Sequence, residues 1–134
     1  MPTIKENIDQ ITSGIKKLNQ EAQNASKSTK EVQNGLKYKP NDIDLIKKKF
    51  VELGNELEAN NKLIDGYKKA MSDLKAQDLS KLQGKELEKQ QLRINKLVED
   101  YNQKLAYAEE KKQILINLTS KETQKQEILN AITA

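Results

Sequence analysis

The chain predicts an all-α protein, an up-down-up antiparallel three-helix bundle with a C-terminal helical extension. Three observations carry that expectation. Apolar residues recur at alternating steps of four and three over long runs, which on a helix draws one stripe along one side. Two short breaker-rich segments separate three such runs of similar length, and short connections turn neighbouring helices back on one another. Charged residues make up 33% of the 134 residues and hydrophobic ones 35%, with one Phe, four Tyr and no Trp. That balance suits a thin, elongated bundle with a core of Ile, Leu, Ala and Val, because such a shape needs few core residues per unit length.

The first helix is expected over residues 3–37. Its stripe runs Ile4, Ile8, Ile11, Ile15, Leu18, Ala22, Ala25, Thr29, Val32, Leu36, an unbroken heptad pattern, with Thr3 placed to cap its start. "KYKPNDID" ends it, since Pro40 cannot continue a helix and biases Lys39 away from helical geometry. Asn41 or Asp42 then caps a second helix over 42–77, whose stripe is Ile43, Ile46, Phe50, Leu53, Leu57, Asn60, Ile64, Tyr67, Met71, Leu74. Gly54 and Gly66 each cost that helix about 1 kcal/mol relative to Ala, so close packing is expected to compensate. Asn60 either sets the register from its stripe position or lies beside the core while Leu63 packs.

Ser80 and Gly84 mark the second turn. The third helix, over 85–118, carries Leu87, Ile94, Leu97, Val98, Tyr101, Leu105, Ala108, Leu115 and Leu118, interrupted by Gln91 and Lys112. Turning the chain near Pro40 and Lys81 sets Ala25 opposite Gly54, Ile15 opposite Ile64, Ile64 opposite Val98 and Leu57 opposite Leu105. Residues 1–119 then form the bundle and 120–134 the extension. Thr119 and Glu122 have capping-box spacing, so the helix either restarts there or runs on. If it runs on, no helix of this chain lies beside the extension. Its apolar residues Ile128, Leu129 and Ile132 are therefore the candidate contacts for a protein partner or a second copy.

The chain has no Cys and no His, which removes disulfides, thiolate metal sites and the commonest general base. No phosphate loop, nucleophile elbow or acidic calcium loop is present, so the expectation is a protein that is not an enzyme and takes no cofactor or metal. The net charge is +4, with basic runs at Lys47, Lys48, Lys49 and pairs at Lys68, Lys69 and Lys111, Lys112. These read as solvated faces. Arg93 is the only arginine, which speaks against specific nucleic-acid recognition. No run approaches the roughly 20 apolar residues that span a bilayer, and the first residues lack the apolar core of a signal peptide. The expected location is cytoplasmic.

"IKENIDQIT" in the first helix and "KLVEDYNQKLAYAEEKKQ" in the third resemble the N-terminal Habc domain of syntaxins, especially the endosomal type. Leu97, Val98, Asp100, Tyr101 and Leu105 carry the likeness, which covers most of residues 3–118. The resemblance implies a regulatory module that binds a SNARE helix or a tether and controls fusion-complex assembly in vesicle transport at the cytosolic face of membranes. A syntaxin continues into a SNARE helix and a membrane anchor, so the resemblance also implies an excised domain. The alternative is a small stand-alone bacterial helical protein, a secretion chaperone or secreted partner. The coding sequence beyond Ala134 separates the two.

Overall fold

A computed structural model describes residues 2–134. Among these residues all regular structure is helical, in four helices: α1 (Ile4–Tyr38), α2 (Ile43–Lys75), α3 (Gly84–Leu118) and α4 (Lys121–Thr133). Each boundary has a local cause. The Thr3 side chain accepts a hydrogen bond from the Glu6 amide, and Asp42 accepts one from Leu45, so of the two candidate caps for the second helix Asp42 is the one used. Gly84 opens α3 with a φ of 58°, a left-handed conformation that a side chain would strain. Between α3 and α4 the cap is Ser120, which accepts from the Thr123 amide. Thr119 instead turns back to donate to the Leu115 carbonyl, so the restart lies one residue beyond the expected capping box.

α2 is the spine of the packing. It buries residues on a face wide enough to meet two neighbours, including Leu53, Leu63, Ile64, Tyr67, Ala70 and Leu74. α1 and α3 each bury a single narrow stripe. The start of α1 lies beside the end of α2, where the Asn7 side-chain amide donates to Gln77 at 3.0 Å. The end of α1 lies beside the start of α2, with Gly35 against Leu45. On the other flank, the Tyr67 and Tyr101 rings pack at a 43° tilt with centroids 5.5 Å apart, and Asn60 donates to the Ala108 carbonyl at 2.9 Å. Asn60 and Leu63 are both buried.

That last pair corrects the expected register between the second and third helices. With Asn60 level with Ala108, α3 is displaced from the expected alignment of Leu57 with Leu105 by about six residues, roughly 9 Å along the axis. Folding the sequence at one residue assumes a turn with no axial travel. Residues 76–83 instead carry the chain past the end of α2, with Leu79 packed onto the core. Two further expectations change. Gly54 faces open space rather than Ala25, and the close approach occurs at Gly66, where Leu18 and Ile15 fill the room a side chain would need. Leu118 is 43% exposed rather than core.

The displacement leaves the first turns of α2 uncovered by α3, and α4 takes that place. Ile46, Phe50, Leu53 and Leu115 form a second apolar cluster, against which Leu36, Leu57, Ile128 and Ala131 pack. A Lys49–Glu127 ion pair ties α4 to α2, and a hydrogen bond from the Gln124 side chain to the Thr119 carbonyl fixes the turn before it. Of the two alternatives for residues 120–134, the helix restarts rather than runs on: α3 ends at Leu118 and the segment folds back onto α2, so a helix of this chain does lie beside it.

Candidate functional site

α1 and α3 both lean on α2 but hardly touch each other. They meet through Arg93 on α3, which donates to Asp9 on α1 at 2.7 Å. Further along, the two helices stand apart and leave a groove of about 430 Å³ with α2 as its floor. The α1 wall is Asn19, Gln23, Ser26 and Lys30, with Lys27 and Ala22 beside them. These wall positions step by four, three and four, so they form a second, polar stripe next to the core stripe of α1. The floor is Asn60, Leu63 and Tyr67, and the α3 wall is Lys104, Tyr107 and Lys111 above Ala108.

The α3 wall belongs to a longer pattern. Lys104, Tyr107, Lys111, Ile114 and Leu118 step by three, four, three and four along one flank of the helix. Tyr107 is 72% exposed and Ile114 58%. This stripe carries two basic and three apolar or aromatic side chains, none of them part of the chain's own apolar clusters. It is legible in the sequence, yet it is overlooked there because the stronger core stripe, Ile94, Tyr101, Ala108, Leu115, runs beside it.

Electrostatically the groove is one-signed. Four lysines line it and no carboxylate does. Lys104 pairs with Asp100 on its own helix at 2.9 Å, and Lys111 pairs with the buried Glu56 of α2 at 3.4 Å. Neither carboxylate lines the groove. Asp100, as hydrogen-bond acceptor, raises the Lys104 pKa above 10.5 against the opposing effect of burial, so the ammonium is charged at neutral pH. Lys27 and Lys30 make no ion pair among the described residues. Burial pushes the Tyr67 phenol above its ordinary 10.0, with Lys104 pulling the other way and Asp100 adding to the rise. The groove thus offers ammonium groups, amides, a phenol and an apolar floor. That inventory suits binding. It contains no pairing of a nucleophile with a base.

Of the candidate contacts on the last helix, Ile128 faces inward on the second apolar cluster, while Leu129 and Ile132 are 53% and 63% exposed. The structure brings none of the three to the α1/α3 groove. No grouping of His, Cys, Asp or Glu among the described residues is placed to hold a metal ion. Among the described residues no helix is long and apolar enough to cross a membrane. Compared with protein families, curated proteins and solved structures, the chain gives no match to any of the three.

Proposed function

We propose that the chain is a non-enzymatic helical protein-interaction module, an up-down-up three-helix scaffold that receives a helix from a partner in the groove between α1 and α3. The observation that supports this reading is the groove itself: two helices held apart over a common floor, one of them presenting an exposed stripe of Tyr107, Ile114 and Leu118. Recognition then works by laying the apolar side of a helix into a cleft of helical length. The likeness to syntaxin N-terminal domains gives the reading its regulatory form. On the cytosolic face of a membrane, the module would hold a helix that otherwise enters a fusion complex, and so control when that complex assembles.

Filling the groove tests the proposal. Ser26→Trp places a large side chain on the α1 wall without touching the buried core. The unaltered chain and the variant, both shown to be helical by circular dichroism, are used to capture partners from native cells, with cross-linked residues mapped by mass spectrometry. The expected result is a partner cross-linked to Lys27, Lys30, Lys104 or Lys111 of the unaltered chain and lost from the variant. A partner held equally by both forms, or cross-linked only to α4, overturns the proposal.

A further inference from the structure

From the groove's charge and its apolar lip we infer the chemistry of its occupant: an acidic amphipathic helix of a partner protein, with carboxylates that meet Lys27, Lys30, Lys104 and Lys111 and an apolar face that covers Tyr107 and Ile114. This rests on the proposal that the groove docks a helix, and adds what that helix must carry.

Charge complementarity is the first argument. All four charged side chains lining the groove are basic. Lys104 and Lys111 each give one contact to Asp100 or Glu56 and keep further ammonium protons to donate, while Lys27 and Lys30 make no ion pair among the described residues. A basic helix entering here would bring like charges together along both walls, which disfavours it. An acidic one gains at the same positions.

Spacing is the second. Lys104 and Lys111 are seven residues apart, about 10.5 Å along α3, so a helix lying along the groove meets both with carboxylates two turns apart on one flank. Lys27 and Lys30 are about 4.5 Å apart along α1 and match carboxylates one turn apart on the opposite flank. The α1 wall from Asn19 to Lys30 spans roughly 16 Å, room for about three turns of the partner.

Shape separates this occupant from other polyanions. The lysines line the two walls of a cleft whose floor is Leu63 and Tyr67. A membrane surface would meet the outer edges of the walls and leave the floor empty. Nucleic acid favours bidentate arginine, and the only arginine is committed to Asp9 outside the groove.

The experiment uses the full chain, labelled for amide NMR, and four probes. The first is a stapled helical peptide of about 16 residues with a Leu stripe flanked by Glu at the spacings above. The second has Lys in place of each Glu, the third is the acidic peptide with its order scrambled, and the fourth is a vesicle containing phosphatidylserine. The acidic amphipathic peptide should shift resonances along residues 19–30 and 104–114. Lys27→Glu with Lys30→Glu, both at exposed positions, should weaken it by about tenfold or more and make the Lys peptide the better ligand. If the Lys peptide binds the unaltered groove as well as the Glu peptide, the inference falls while the docking proposal stands. If neither peptide shifts groove resonances, both fall. Equal binding of the scrambled peptide, or vesicle binding abolished by the same two reversals, shows a general polyanion or membrane surface and overturns the inference.

Discussion

At Gly66 a side chain would displace Leu18. A Cβ built there would meet Leu18 Cδ1 and lie 3.6 Å from Ile15 Cδ1, so the Leu18 side chain packs where a larger residue would need room. Gly66→Leu is expected to destabilise by roughly 1–3 kcal/mol through overpacking. Gly54 is the contrast: a Cβ there meets nothing within 4 Å, so Gly54→Ala should stabilise by about 1 kcal/mol on helix propensity alone. Thermal melts of both variants check the pair, and equal effects would contradict the register of α1 on α2. The buried tyrosines make a second test. Burial is the largest cause raising both the Tyr67 and Tyr101 phenols above 10.0. The folded state therefore binds those protons more tightly than the unfolded chain does. Their contribution to stability is complete below the unfolded value near 10.0 and is lost as pH rises through the folded values. Lys104, raised above 10.5, acts in the same direction. Melting temperature should fall on the alkaline side of pH 10.0, and the fall should be shallower in Tyr67→Phe and Tyr101→Phe. A profile unchanged by either variant would show that the phenols are not held in the interior.

At the scale of elements, the three long helices and the caps of the first two were readable because heptad stripes, Thr3, Asp42 and Pro40 act locally. Axial offset was not readable. It depends on how far residues 76–83 travel, and on long-range pairings such as Asn60 with Ala108 and Tyr67 with Tyr101. That single offset decides the place of α4: with α3 displaced, Ile46 and Phe50 need cover, and Ile128 and Ala131 supply it. The groove escaped notice for a related reason. Each wall is a secondary stripe whose meaning depends on α1 and α3 standing apart, which no local pattern specifies. Ile128→Ala should cost about 1–2 kcal/mol because the side chain packs on a buried cluster. Leu129→Ala should stay within about 0.5 kcal/mol, since the side chain is 53% exposed. Deleting residues 121–134 should lower the melting temperature while light scattering shows the same number of copies before and after, the mass falling only by that of the 14 residues removed. A halving of the mass would instead show that the exposed Leu129 and Ile132 face joins two copies.

For the whole molecule, the central claim is that the surface left for another protein is the cleft between α1 and α3, with α4 spent on covering the chain's own apolar cluster. Amide hydrogen exchange of the full chain, with and without the stapled acidic helix, tests this most directly. Exchange in helices reports opening of hydrogen-bonded backbone, and a docked helix slows it in the elements it clamps. The account predicts slowed exchange over residues 19–30 of α1 and 104–114 of α3, with α4 unchanged. Slowed exchange confined to α4, around Leu129 and Ile132, would contradict it.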